Sequence, residues 1–291
     1  MKYCIDYYKK SKILKQVDEL NIDYSLQNTT LLEFLITNKD KRVNIVVEDE
    51  HYNELMDIID KINDIKKSNE NLQLFLRLQY YSKEEIEKLK EYNIPFYLDI
   101  RANNWDIFNG LVELGVSDIY ITEDLGFELE KLAEIAHSKG IQLRAYPNVA
   151  QSQWDTTPAL KKFFIRPEDV DKYANYIDVL EFFGAVDKSE TLYKIYAIDK
   201  KWYGKLNEII IGFNSDLDNR FLVPRFCDFR TNCKKKCVKG HSCGICEAVE
   251  TLSHTLENQG IIFETKKPKS VMKDEEEFKQ ELDKMLNKEE K

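Results

Sequence analysis

The strongest chemical signal in this sequence is a run of thiols, Cys227, Cys233, Cys237, Cys243 and Cys246, which gathers all but Cys4 into one short segment. The inner four are separated by three, five and two residues. Such spacings let successive thiolates turn toward one centre, and Gly240 and Gly244 permit the tight turns this needs. Clustering of this kind favours a metal over a disulfide framework. A four-thiolate set suits zinc and iron-sulfur alike. Zinc ribbons use matched Cys-x-x-Cys knuckles, and only Cys243 and Cys246 form one here. The irregular spacing therefore points to a 4Fe-4S cluster on Cys233, Cys237, Cys243 and Cys246, with Cys227 as an alternate ligand and zinc as the alternative metal. Lys234, Lys235 and Lys236 are placed to offset the negative charge of such a site or to form a solvated loop. His241 reads as a neighbour of the site.

A second set of chemically capable residues lies at the ends of short apolar runs: Glu48 and Asp49, Arg77 and Gln79, Asp99 and Arg101, Thr122 and Glu123, Arg144, Tyr146 and Asn148, Arg166, and Glu181. Half-buried arginines are costly unless a carboxylate or an anionic ligand pairs with them. Arg77, Arg101, Arg144 and Arg166 thus imply either ion-pair ladders or the binding of an anionic substrate. Asp99 and Glu181 are the proton-transfer candidates, and a mechanism on carboxylates alone leaves no short motif. His51, His137 and His254 fall on predicted helices, so a Ser-His-Asp or Cys-His hydrolase is hard to assemble. The sequence has no His-Glu-x-x-His motif and no Gly-rich phosphate loop.

The elements that must position these residues alternate. Short runs rich in β-branched and aromatic residues are predicted as strands at 3–7, 43–48, 72–78, 95–100, 118–122, 142–146, 163–166 and 178–182, with amphipathic helices at 51–66, 82–92, 105–114, 127–138, 167–176 and 189–200 and a later helix at 247–259. Ser82 with Glu85 forms a capping-box start, and Gly115 and Gly140 are C-terminal caps. Strict alternation over about 200 residues predicts an α/β fold, a TIM-like (β/α)8 barrel, followed by a C-terminal cysteine-rich metal-binding extension. The expected organisation is a barrel over 1–204, the extension over 205–265 and a charged tail, helical or disordered, over 266–291. Residues 11–40 are too long for an ordinary connection and are expected to hold a helix, a hairpin or both. Cys4, on the first strand, is by default a buried core thiol.

The formal charge of −9 argues against broad attraction to nucleic acid or anionic membrane, although RNA remains open as a substrate. The opening residues show no basic stretch followed by an apolar core, and no run approaches the roughly 18 apolar residues of a spanning helix. A soluble cytoplasmic protein with no membrane partner is expected. The tail carries Phe278, Leu282, Met285 and Leu286 at helical spacing, a surface for a protein partner or a solvated helix.

Three stretches give the chain a resemblance to the collagenase-like peptidase U-32 family. They are Arg166-Pro167-Glu168-Asp169 with Tyr173, the run from Tyr176 through Asp178 and Glu181 to Gly184, and Trp202-Tyr203-Gly204 leading toward the cysteines. Ala185 stands where the family carries an arginine. The resemblance implies a TIM-like barrel with a 4Fe-4S cluster, in proteins assigned as peptidases whose relatives hydroxylate RNA bases or small aromatic precursors without oxygen, some with prephenate. Hydroxylase-type chemistry is the first expectation. A non-catalytic barrel subunit with a structural zinc is the alternative, and a peptidase is the third.

Overall fold

The computed structural model describes residues 1–7, 12–24, 34–122, 125, 128–150, 159–183, 186–222 and 244–261. The chain divides into two compact units, one of residues 1–147 with 173–189, the other of 148–172 with 190–291.

The first unit is an α/β fold on a nine-stranded, all-parallel sheet. Its strands are β1 (Lys2–Asp6), β2 (Glu19–Asp23), β3 (Arg42–Val47), β4 (Gln73–Leu78), β5 (Phe96–Leu98), β6 (Arg101–Ala102), β7 (Asp118–Ile121), β8 (Gln142–Ala145) and β9 (Val179–Glu181), in the order β5-β4-β3-β2-β1-β9-β8-β7-β6. The two ends of that order, β5 and β6, are separated only by Asp99 and Ile100. This segment hydrogen-bonds to β4 through Asp99 N to Leu78 O (2.8 Å) and toward β7 through Ser117 N to Phe96 O (2.7 Å) and Thr122 N to Ala102 O (3.3 Å). The sheet is therefore strongly curled. Helices α1 (Leu55–Ser68), α2 (Lys83–Glu91), α3 (Trp105–Leu114) and α4 (Leu129–Ser138) connect its strands. Helix α2 starts on the expected capping box, with Ser82 Oγ accepting from Glu85 N and Glu85 Oε2 accepting from Ser82 N. Helix α3 is capped by Asn104 and ends at left-handed Gly115 (φ 78°).

Alternation along the strands explains the curl. Leu20, Ile22, Val43, Ile45, Leu74, Leu76, Ile119 and Leu143 are buried on the helix-facing side, whereas Glu19, Asn21, Arg42, Asn44, Asp118, Arg144 and Glu181 share the concave side. Several of those concave polar groups bond across the interior between strands that are not neighbours in the sheet. Arg42 on β3 donates to Asp118 on β7 (2.6 Å) and Arg77 on β4 donates to Glu181 on β9 (2.8 Å). Arg144 on β8, with no exposed surface, donates from Nε to Asp118 (2.8 Å), from Nη1 to Glu181 (3.1 Å) and from Nη2 to Glu19. Burial works against the charge on Asp118 and Glu181, yet the facing guanidiniums outweigh it and hold both carboxyls below the usual carboxylate range.

Three sequence expectations need correction. The long 11–40 stretch contributes a sheet strand, β2, and not only a helix or hairpin. Residues 163–166 form no strand of the sheet, since β9 follows β8 directly in the order and Phe163–Arg166 belong to the second unit. The expected helix over 167–176 is a 3-10 turn, Pro167–Asp169, followed by one α-turn, Val170–Tyr173.

The described part of the second unit, taken by itself, carries short 3-10 turns, a π-helical segment, Lys194–Asp199, and isolated bridges, Val149 with Ile211 and Lys205 with Asp218. Phe164 packs edge-on to Phe213 at 5.0 Å. Gly212 has φ 76°, and a Cβ there would stand 2.9 Å from Ala150 O, so a side chain is excluded on both counts. Its last described helix, α5 (Ile245–Asn258), matches the helix expected at 247–259.

Replacing Arg144 by Ala would leave three buried carboxylates short of a cation. The expected loss is about 3–5 kcal/mol, read as a lower urea midpoint at unchanged slope. A loss below about 1 kcal/mol would show that these pairs are not holding the interior.

Candidate functional site

The cavity of the first unit lies at the carboxyl ends of its strands, the face that carries the site in parallel α/β folds. Its volume is about 480 Å³. The strands position its polar lining: Asp6 ends β1, Asn21 and Asp23 lie on β2, Arg77 on β4, Asp99 follows β5 and Glu181 ends β9. Glu48 and Gln79, one residue beyond β3 and β4, complete the polar wall, and Tyr7, Phe182 and Phe183 supply aromatic surface.

The lining is acidic. Among the described residues, Asp6, Asp23, Glu48, Asp99 and Glu181 stand against one lining cation, Arg77. That cation is already occupied, with Nη1 on Glu181 (2.8 Å) and Nη2 on both Asp99 (2.9 Å) and the Tyr146 hydroxyl (3.0 Å). Glu181 also accepts from the Tyr120 hydroxyl at 2.6 Å. The Tyr120 ring stacks on Tyr146 at 4.9 Å, and burial, reinforced by Glu181, pushes both phenols up, so they stay protonated.

Asp6 behaves differently from the carboxyls below it. Its Oδ1 accepts from Asn21 Nδ2 at 2.9 Å, and Asn21 Oδ1 in turn accepts from Asn44 Nδ2 (3.0 Å) and the Cys4 thiol (3.3 Å). Burial, with the negative charge of Glu181 added, raises the Asp6 pKa to about 6, and the contributions of Asn21 and Arg77 do not offset this. Cys4 is buried, as expected; burial and Glu181 push its thiol up, which keeps it a neutral donor to Asn21.

The sequence-predicted residues are thus divided. Arg77, Asp99 and Glu181 come together at the cavity. Arg144 lies beneath it with every guanidinium nitrogen on a carboxylate, so it has no face left for an anionic substrate. Arg101 stands over the rings of Tyr146 (5.1 Å) and Phe183 (5.6 Å). Arg166 belongs to the second unit, where it is bidentate to Asp169 (2.6 and 3.1 Å). Of the two readings left open for the arginines, ion-pair ladders describe Arg77, Arg144 and Arg166.

The Arg166–Asp169 element has a local structural role. Glu168 Oε1 accepts from Trp202 N (2.8 Å) and from Asn219 Nδ2 (2.7 Å), tying this turn to the Trp202-Tyr203-Gly204 stretch. Two of the three stretches behind the family resemblance are therefore joined by one carboxylate.

Cys227, Cys233, Cys237 and Cys243 lie outside the described residues, as do Glu123, Ala185, His241, the three lysines and the tail from 262 onward. Cys246 is described: it is buried in the first turn of α5, directly after left-handed Gly244 (φ 63°), a position that suits a ligand presented at a helix start. Among the described residues no group of three or more His, Cys, Asp or Glu is arranged to hold a metal ion. Among them, too, no helix is long and apolar enough to cross a membrane.

No protein-family model matches the chain, and no curated protein matches it. Among solved structures, it is similar to a 4-hydroxy-2-oxoglutarate/2-dehydro-3-deoxyphosphogluconate aldolase at 13% identity and a TM-score of 0.36, over 67% of this chain and 90% of that one. It is also similar to a designed cube-shaped, porous protein cage at 8% identity and a TM-score of 0.42, over 100% of this chain and 99% of that one. Values this low carry no functional information.

The site residues that sequence reasoning missed are Asp6, Asn21 and Asp23. Asp23 was hidden with its strand. Asp6 had a signal, because period two places it on the same face as Cys4, one step nearer the carboxyl end of β1.

The raised Asp6 pKa has a stability consequence. The folded chain holds this proton to higher pH than the unfolded chain, so the stabilisation is complete at low pH and is lost as pH rises from the ordinary aspartate range through about 6. Asp6→Asn should remove that decline and make the protein about 2–3 kcal/mol more stable than the parent at alkaline pH. Urea unfolding across pH measures it, and parallel curves for parent and variant would refute the assignment.

Proposed function

We propose that the chain is an enzyme on a TIM-like (β/α)8 barrel whose active site is the acidic cavity at the strand ends. Asp6 is its acid-base group, and its substrate is a small neutral or cationic polar molecule. The observation that carries this reading is the division among neighbouring carboxyls. Asp6 is poised near neutrality, while Glu181, in the same cavity, is held ionised by Arg77 and Arg144. Carboxyls whose environments push their pKa values apart are the pattern of acid-base pairs. Asp6 would give or take the proton, Glu181 would supply fixed negative charge, and Arg77 would hold Glu181 and Asp99 in place. Glu181 and Asp99 thus act as electrostatic and positioning groups in this reading.

Among the described residues, an excess of carboxylates around one arginine whose two terminal nitrogens are already paired disfavours an anionic ligand. A thermal-shift and equilibrium-dialysis screen of small amines, polyols and dicarboxylates tests this. Amines or polyols should raise the melting temperature of the parent, with loss of at least tenfold in affinity for amines in Asp6→Asn. Binding of dicarboxylates alone, weakened by Arg101→Ala, would overturn the reading and restore the anionic substrate.

For the cysteine segment we propose a 4Fe-4S cluster on Cys233, Cys237, Cys243 and Cys246, with Cys227 as alternate and zinc as the competing metal. Support comes from the spacing, from the turn at Gly244 and from burial of Cys246 at the start of α5. A cluster there would supply electron transfer, the capacity that U-32-like hydroxylation of an RNA base or small aromatic precursor requires; zinc would fit a non-catalytic partner subunit, and a peptidase ranks third. About four irons and four sulfides per chain are expected after anaerobic purification, and fewer in Cys243→Ala and Cys246→Ala. About one zinc without sulfide would favour the subunit reading, and neither metal would sink both.

A further inference from the structure

Within the second unit, two buried acceptors are left without donors on side chains that are bonded to each other. Glu168 Oε1 accepts from Trp202 N (2.8 Å) and Asn219 Nδ2 (2.7 Å), but Glu168 Oε2 is buried and has no hydrogen-bond partner. Asn219, only 6% exposed, donates from Nδ2 to Glu168 Oε1 and to Trp202 O (3.0 Å), while its Oδ1 is also buried without a partner. Turning the Asn219 amide over does not resolve this, because its oxygen would then face two acceptors, the Glu168 carboxylate and the Trp202 carbonyl. Two orphaned acceptors on one bonded pair are each expected to cost as much as a lost hydrogen bond. A single proton resolves both: on Oε2 it turns Glu168 into a donor, and Asn219 Oδ1 is the acceptor that lacks one.

We propose that Glu168 is a neutral carboxylic acid in the folded protein and that its proton, shared with Asn219 Oδ1, latches the Pro167–Asp169 turn to the Trp202 and Asn219 segments. The surroundings agree. Burial pushes the Glu168 carboxyl above the usual range, against the pull of Arg166 and of the backbone N–H groups of Trp202 and of Glu168 itself, and the negative charge of Asp169 adds to the rise. Arg166 is itself committed to Asp169, and Tyr196, facing both acids, is a fully buried phenol that burial and Glu168 push up. The latch is closed at low pH and opens as pH rises through the ionisation of Glu168, because the folded state binds the extra proton.

Glu168→Gln is the test in the full chain, since glutamine keeps the Oε1 acceptor and replaces the acid O–H by an N–H donor. Urea midpoints from about pH 5 to about pH 9 should fall for the parent relative to Glu168→Gln, with the variant the more stable at the alkaline end. Taking this difference separates Glu168 from Asp6, whose titration has the same sign. The side-chain carboxyl carbon of Glu168 should also show the chemical shift of the acid at neutral pH. A shift typical of the ionised form, or a pH-independent difference between parent and variant, would overturn the proposal and leave a bound water or cation to satisfy the two oxygens.

Discussion

The first unit depends on one guanidinium. Arg144 has no exposed surface, and its three nitrogens reach carboxylates on β2, β7 and β9. Removing such a charge from water is expensive, and only close, well-directed carboxylates make it tolerable. Here the condition is met by the two strands that flank β8 and by β2, and it is the pairs between non-adjacent strands, Arg144 with Glu19 and Arg42 with Asp118, that demand a strongly curled sheet. The same condition makes the interior charges interdependent. Glu19, Asp118 and Glu181 are matched by Arg42, Arg144 and Arg77, and Arg77 is shared with Asp99 as well.

Asp6 is a further carboxylate of the same cavity. It sits one step above the balanced layer, facing the ionised Glu181, and receives only an amide hydrogen bond from Asn21. Its raised pKa therefore follows first from burial and then from the ionised Glu181 beside it. The chain of Asn44, Asn21 and Asp6 carries polar contacts from the interior to the cavity, and the neutral Cys4 thiol joins it as a donor. Stability and candidate chemistry thus share residues, and a change at Arg144 or Glu181 acts on both.

Much of this fold was legible where period and punctuation agree. Helix α3 was expected at 105–114 and is found there; the Ser82 capping box and left-handed Gly115 also stand where predicted. Strand β2, Glu-Leu-Asn-Ile-Asp, escaped because acidic and amide residues are poor strand formers in isolation. Only cross-sheet partners such as Arg144 and Arg42 make Glu19 a good interior residue, and local sequence carries no sign of them. The converse applied to Phe163–Arg166, whose apolar run is buried in the second unit and not in the sheet. At the site, Arg77, Asp99 and Glu181 were legible as strand-end residues. Their mutual saturation was not, since pairing of Arg77 with Glu181 spans residues 104 apart.

The most direct measurement is a carboxyl 13C NMR titration that follows Asp6, Asp118 and Glu181 in one sample. The expected result is an Asp6 midpoint near about 6 with Asp118 and Glu181 still ionised when pH falls below the ordinary carboxylate range. An Asp6 midpoint in that ordinary range, or a raised one at Glu181, would contradict the division of charge on which the proposed site rests.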